Sequence, residues 1–186
     1  MNVGESNVIV VAHPDDEILW AGGLPIRYAD RDWTIICCSI PRADPIRADK
    51  FFQVCEELDV VGICLPHTET DMWKNLQGVD DIDLSCFDCI VTHNSQGEYG
   101  HRHHCHVHDV IVKKYFDKTK IITFGMRGQE AKGKEVIKLD SDELAIKLRA
   151  FKRYDYPSPY DALPQWQHLL KVHPYIDFAV ETYDEH

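Results

Sequence analysis

The feature that most constrains the fold is a series of five short apolar runs separated by amphipathic segments. Each run is nearly continuous and rich in β-branched residues or cysteine, which is typical of strands buried on both faces of a sheet. The segments between and after them repeat apolar residues every three or four positions, which indicates helices. Strands are predicted at Asn7–Ala12, Trp33–Ser39, Val61–Leu65, Phe87–Thr92 and Lys120–Phe124, helices at Asp44–Leu58, His104–Phe116, Ser141–Tyr154 and Ala162–Val172, and a loop or short extra strand at Gly125–Lys138.

This alternation predicts an α/β fold of the Rossmann-like, three-layer type, with helices on both faces of a mostly parallel sheet. The chain has 186 residues, which fits a single domain spanning residues 1–186. Its net charge of −11 disfavours binding to nucleic acid or to an anionic membrane surface.

The compartment and assembly follow from weaker signals. The N-terminal apolar run is too short for a signal peptide or a membrane span. The seven cysteines cannot all pair, and several lie in apolar runs where free thiols pack as small hydrophobes. We therefore expect a cytoplasmic protein without a membrane span, and a homo-oligomer is compatible with the sequence.

Unusual polar residues follow four of the predicted strands. His13 follows the first strand, Arg42 and Arg47 the second, His67 the third, and the segment His93–His104 the fourth. Because open α/β sheets bind ligands beyond the carboxyl ends of their strands, these residues are expected to converge on one rim.

The first of these groups is His13-Pro14-Asp15-Asp16-Glu17, directly after a buried strand. Three consecutive carboxylates repel one another, and a divalent cation would balance them; His13 and Asp16 can reach one ion while Asp15 stays free to accept a proton. Acidic residues that stabilise a helix start are the structural alternative. The turn lacks the glycines that admit a pyrophosphate, so a dinucleotide cofactor is not expected.

The second group lies in a glycine-flanked loop that enters a helix. His101 and His104 are three residues apart, so one of them could complete a metal site with His13 and Asp16 while the other contacts a reacting oxygen. His103, His106 and His108 compete for such roles: His103 and His106 are expected on a solvated face, and His108 on the surface or in the core.

Together the two motifs resemble the PIG-L/LmbE family of zinc-dependent de-N-acetylases, over nearly the whole chain. The resemblance rests on His-Pro-Asp-Asp-Glu after the first strand and Gly-Glu-Tyr-Gly-His-x-x-His after the fourth. It implies removal of an acetyl group from an N-acetylglucosamine-type sugar or conjugate, a small-molecule partner. It also implies Zn²⁺ as the cofactor, and the same ligand types suit Fe²⁺ or another divalent metal.

The resemblance also implies residue roles. The metal ligands would be His13, Asp16 and His104, the general base Asp15, and the group that stabilises the tetrahedral intermediate His101. Substrate contacts are expected from Arg47, Arg42, Asn94 and Glu98, with Glu98 also able to brace a ligand.

The chain departs from the family at two places near the expected site. His103 stands where members often have an aspartate, and Pro66-His67 stands where many have Pro-Asp. Two other functions stay open: hydrolysis of a different amide or ester, and a non-catalytic, metal-dependent sugar-binding domain. The presence of Asp15 favours the enzyme, because a binding site has no use for a general base.

Overall fold

Residues 1–40, 45–67, 82–125, 135–155 and 180–185 are described by the structure, a computed structural model. Within these ranges seven strands form one sheet in the order β3-β2-β1-β4-β5-β7-β6. The strands are β1 Ser6–Val11, β2 Asp32–Cys37, β3 Val61–Cys64, β4 Cys89–Thr92, β5 Lys120–Phe124, β6 Glu135–Lys138 and β7 Val180–Glu185. Strands β1 to β5 are parallel to one another, whereas β7 runs antiparallel to both β5 and β6.

Six helices connect these strands in the described part of the chain. They are α1 Asp16–Trp20, α2 Gly23–Arg27, α3 Arg47–Glu57, α4 Gly97–Gly100, α5 Arg102–Tyr115 and α6 Ser141–Lys152. Helix α6 begins with a capping box, in which the side chains of Asp140 and Glu143 accept hydrogen bonds from each other's backbone amides. The predicted helix Ala162–Val172 lies outside the described residues.

The sheet separates two apolar cores, because alternate side chains of a strand point to opposite faces. Ile9 and Val11 of β1 contribute to the core shared with helices α1, α2, α3 and α6. Val8 and Val10 contribute to the core on the other face, where Val107 and Ile111 of α5 are among the packed residues. The predicted three-layer α/β fold with a mostly parallel sheet is therefore confirmed.

Element ends differ from the predictions by a few residues. Strand β2 stops at Cys37 rather than Ser39, and β4 begins at Cys89 rather than Phe87, since Phe87 amide donates to Leu84 in a turn. Helix α5 begins at Arg102, two residues before the predicted start. Strand β6 supplies the short extra strand expected within 125–138.

The strand order places one crevice in the sheet. The chain runs outward from β1 through β2 to β3, then returns to add β4 on the other side of β1. The residues after β1 and β4 therefore leave the sheet side by side, at the switch point where α/β folds bind ligands.

No helix in the described ranges is long and apolar enough to cross a membrane.

Candidate metal and active site

The crevice brings together the two predicted groups of residues. His13, Asp15 and Asp16 follow β1, and all three side chains are buried. His101 is the N-cap of α5, and His104 lies in the first turn of that helix. The expected convergence of these two segments on one rim is thus present in the structure.

Asp16 lies at the centre of this cluster. Its Oδ2 accepts a hydrogen bond from the backbone amide of His13 at 2.9 Å and lies 3.2 Å from His13 Nδ1. The same oxygen is 3.3 Å from His104 Nε2. One carboxylate oxygen therefore faces both imidazoles that were predicted as metal ligands.

Glu98 fixes the orientation of His104. Glu98 Oε2 lies 2.5 Å from His104 Nδ1. Since a carboxylate accepts hydrogen bonds, Nδ1 carries a proton, and Nε2 is the ring nitrogen that faces Asp16. His104 Nε2 is buried and makes no hydrogen bond within the described structure. This nitrogen, buried beside the Asp16 carboxylate, is suited to bind a metal ion once it gives up its proton.

His93 belongs to the same network, although sequence reasoning gave it no role. It is fully buried, and its ring stacks on His104 with centroids 3.9 Å apart. His93 Nε2 accepts the backbone amide of Ala12 at 2.9 Å, and Nδ1 lies 2.9 Å from Glu98 Oε2. Both ring nitrogens are occupied, so His93 supports the neighbouring ring rather than offering a lone pair.

The loop after β4 reaches this arrangement through unusual backbone conformations. Gly97 has φ 64°, and a Cβ there would approach Cys105 Sγ to 2.9 Å, so only glycine fits. Glu98 follows with φ 56° and ψ −48°, which is rare for a residue with a side chain. Such strain persists only where surrounding contacts enforce it, here the hydrogen bonds of the Glu98 carboxylate.

Glu98 and Asn94 were expected to contact substrate, and the structure engages both side chains within the protein. Glu98 is buried, with Oε1 accepting the Asn94 amide at 2.8 Å. Asn94 Nδ2 donates to Phe124 O at 2.8 Å, and its Oδ1 accepts the Gln96 amide at 2.8 Å. Both residues therefore shape the loop behind the histidines, and their contact with substrate stays a prediction.

Of the remaining histidines of this segment, His101 and His103 lie beside His13, and His106 and His108 lie further along α5. The His101 ring lies 4.8 Å from that of His13 and 4.5 Å from that of His104, and its Nδ1 is buried without a hydrogen bond in the described structure. His103 Nδ1 is 2.9 Å from His13 Nε2. His103 is buried, so the predicted solvated position was wrong: the first turn of α5 faces His13. His106 is half-buried. His108 is buried, and its Nδ1 lies 3.0 Å from Asp109 Oδ1.

Asp15 forms an ion pair with Arg47, the first residue of α3. Arg47 also donates to the carbonyl of Pro14, so it holds the turn after β1 at two points. Asp15 itself has φ 108° and ψ −26°, a second strained position in the site. Arg42, the other expected cationic contact, lies outside the described residues.

The buried ionisable groups of the cluster shift one another's pKa values. Burial opposes ionisation of Asp16, but His104 and His13 lower the pKa of its carboxyl well below the usual value. Burial likewise opposes a charge on His104, yet Asp16 and Glu98 raise its pKa to about 10. Burial and the adjacent His104 lower the pKa of His101 to about 3, so this ring is neutral at pH 7.

Among the described residues, two sets of three bring possible metal-ligand atoms within 4.8 Å of one another. They are His13 with His101 and His104, and Asp16 with His93 and His104. The predicted set of His13, Asp16 and His104 combines members of both. Nitrogen and carboxylate oxygen donors of this kind suit Zn²⁺, and the buried His104 nitrogen without a hydrogen bond indicates that the residues fit such an ion.

Comparison with known sequences finds no matching family profile and no matching curated protein. Comparison with solved structures finds several with the same fold. A deacetylase triple mutant of the teicoplanin biosynthetic pathway has TM-score 0.70 at 13% identity, covering 97% of each chain. The N,N′-diacetylchitobiose deacetylase of Pyrococcus horikoshii has TM-score 0.64 at 12% identity, covering 97% of this chain and 84% of its own.

A protein of different chemistry shares this fold as well. The 4-carboxy-2-hydroxymuconate hydratase GalB from Pseudomonas putida has TM-score 0.59 at 11% identity, covering 98% of this chain and 96% of its own. At these identities the comparisons establish the fold. The chemistry must be argued from the site.

Proposed function

We propose that this protein is a metal-dependent hydrolase that removes an acetyl group from an N-acetylated sugar or sugar conjugate. The observation that carries the proposal is the environment of His104, whose Nδ1 is tied to Glu98 and whose buried Nε2 faces Asp16. A carboxylate that orients a histidine in this way is a recurrent feature of metal sites. Deacetylases that share the fold support the same chemistry.

The proposed ligands are His13, Asp16 and His104, with zinc as the metal and ferrous iron as the main competitor. Three protein ligands leave a position for water or substrate, as catalytic zinc sites require. A divalent ion bound there would supply Lewis-acid polarisation of an amide carbonyl and of a water molecule.

Asp15 is proposed as the general base. Asp15 precedes the ligand Asp16 in the chain, and its carboxylate is paired with Arg47. It can take a proton from an attacking water and pass it to the departing amine, which an amide needs because its nitrogen is a poor leaving group.

His101 is proposed to stabilise the oxygen that becomes negative as the carbonyl is attacked. It is half-buried, and its ring lies against those of His13 and His104. A neutral imidazole with one N–H can donate a hydrogen bond to that oxygen. Arg47 is proposed to contact a hydroxyl-rich or anionic part of the substrate.

We also propose a cytoplasmic location. All seven cysteines are free thiols, five of them either buried or half-buried within the two apolar cores. A reducing compartment keeps such thiols from pairing.

The test is acetate release by the zinc-loaded and the iron-loaded protein. The substrates are N-acetylglucosamine, N,N′-diacetylchitobiose and a lipid-linked N-acetylglucosamine, with Asp15→Asn as the matched variant. We expect acetate from at least one sugar, and roughly 10²–10⁴-fold less from Asp15→Asn at equal metal content. Acetate release by Asp15→Asn at the wild-type rate would contradict the assigned mechanism.

Water addition to a carbon–carbon double bond is the second candidate function, because a hydratase shares the fold. Both reactions need an activated water and a base, which Asp15 could provide. Adding 4-carboxy-2-hydroxymuconate to the same panel separates the two. Turnover of that compound without acetate release from any sugar would replace the deacetylase proposal.

A further inference from the structure

Behind Asp15 lies a buried carboxylate that the proposed mechanism does not use. Glu17 is fully buried, and its Oε2 accepts the backbone amide of Asp15 at 2.9 Å. Its Oε1 accepts the hydroxyl of Tyr154 at 2.6 Å. Glu17 therefore connects the backbone of the proposed base to a tyrosine 137 residues further along the chain.

This connection acts on a strained residue. Asp15 holds φ 108° and ψ −26°, a conformation that a residue with a side chain adopts only when its surroundings enforce it. Among the contacts that hold this turn are the Arg47 side chain, which reaches Asp15 and Pro14, and the Glu17 carboxylate, which takes the Asp15 amide. The Glu17 contact fixes the Asp15 backbone amide, while the Asp15 carbonyl accepts the Ile18 and Leu19 amides of helix α1 at 3.2 and 3.0 Å.

Tyr154 follows helix α6 and is itself buried. Its amide donates to Phe151 O at 3.1 Å, which ties it to the last turn of a helix that packs against α1, α2 and α3. The phenol is thus anchored in the core and presents its hydroxyl to Glu17. The hydroxyl thus gives the Glu17 carboxylate a second hydrogen bond beside the one from the Asp15 amide.

We infer that Tyr154 is a positioning residue that acts through Glu17 to hold Asp15 in its strained conformation, aimed into the site. This inference rests on the proposed function for its kinetic consequence and stands on the contacts alone for its structural one. The proton transfer at Asp15 would be sensitive to it, because small displacements of a catalytic group lower rates steeply.

The test compares Tyr154→Phe with Tyr183→Phe in the full-length, zinc-loaded protein. Tyr183 is an equally buried tyrosine whose hydroxyl donates to Glu181 and lies 3.2 Å from Trp20 O, so its removal controls for the loss of a buried hydroxyl. Four quantities are measured: kcat and KM of acetate release from the panel sugar that wild type turns over, zinc content, and hydrogen exchange of the Asp15 backbone amide.

For Tyr154→Phe we expect kcat to fall roughly tenfold or more, with KM within about twofold and zinc content unchanged. We also expect the Asp15 amide to exchange roughly tenfold faster, since its acceptor is no longer fixed. Tyr183→Phe should stay within about twofold of wild type in all four quantities. If the two variants behave alike, in rate and in exchange, the inference is wrong.

Glu17→Gln provides the second variant if Tyr154→Phe does not fold. The Gln amide can accept the Asp15 N–H and donate to the Tyr154 oxygen, so kcat within about threefold of wild type supports a positioning role. A fall of roughly 10²-fold would assign Glu17 to proton chemistry and overturn the inference. Absence of acetate release from wild type would refute the proposed function, whereas the exchange measurement would still decide whether Tyr154 holds Asp15.

Discussion

Replacing Glu98 by glutamine should weaken metal binding, although none of the proposed metal ligands is itself replaced. Glu98 Oε2 accepts from His93 and His104 together, at 2.9 and 2.5 Å, while Oε1 accepts the Asn94 amide at 2.8 Å. All three partners are donors. A glutamine side chain must turn its NH₂ group towards at least one of them, because it has a single acceptor oxygen.

The magnitude follows from what His104 loses. Without a carboxylate at Nδ1, the His104 ring loses the hydrogen bond that orients it, and its Nε2 becomes a weaker base. Removing such a partner lowers metal affinity roughly 10–100-fold. This corresponds to about 1.4–2.8 kcal/mol of binding free energy. We expect the zinc dissociation constant of Glu98→Gln to rise by this factor.

The assay is a competition titration against a zinc-chelating dye at fixed pH. Glu181→Gln is the matched control, because Glu181 is a buried glutamate that also takes several donors, including Lys147 and the Gly23 amide, away from the histidines. We expect Glu181→Gln to lower the stability of the fold while leaving zinc affinity within about twofold of wild type. Zinc affinity of Glu98→Gln equal to that of wild type would refute the role assigned to Glu98.

Three further predictions concern separate parts of the molecule. Lys147→Met leaves Glu181 buried without its cation, so the free energy of unfolding in urea should fall by about 3–5 kcal/mol, and a change below about 1 kcal/mol would contradict the structure. Glu57 has its pKa lowered by Arg153 and Arg149, so its contribution is present above the unfolded pKa and is lost as pH falls through the folded one. Glu57→Gln should therefore cost under about 1 kcal/mol at pH 7 and nothing once the pH is below the folded pKa, as measured by urea unfolding at both pH values. His101→Gln should retain zinc and lose roughly 10²–10³-fold in kcat, and wild-type turnover would remove His101 from the mechanism.

The sheet core was predictable because burial on both faces leaves a plain sequence signal. The five parallel strands appear in the sequence as continuous apolar runs. Because open α/β sheets bind ligands beyond the carboxyl ends of their strands, the sequence also predicts His13 and His104 on one rim. Strand β7, Val180–Glu185, was missed because its buried face includes Glu181, whose charge is balanced by Lys147 from another part of the chain. The local sequence around β7 does not include Lys147, so the pattern gives no sign that Glu181 can be buried.

The site was predictable as a list of motif residues but not as a network. His93 and Glu98 lie within the polar segment His93–His104, yet the sequence does not reveal that both nitrogens of His93 are hydrogen-bonded or that Glu98 accepts from two imidazole rings. Tyr154 carries no signal at all, because its partner Glu17 is 137 residues away. Burial of His103 depends on which face of the first turn of α5 meets His13, and this is decided by packing.

The most direct test of the account is the metal content of purified wild type, His104→Ala and His106→Ala, measured by elemental analysis. His104 and His106 lie on the same helix, and only His104 belongs to the possible metal groups within the described ranges. The account predicts about one zinc or iron per chain in wild type and His106→Ala, and none in His104→Ala. Equal metal in all three proteins would contradict the proposed site.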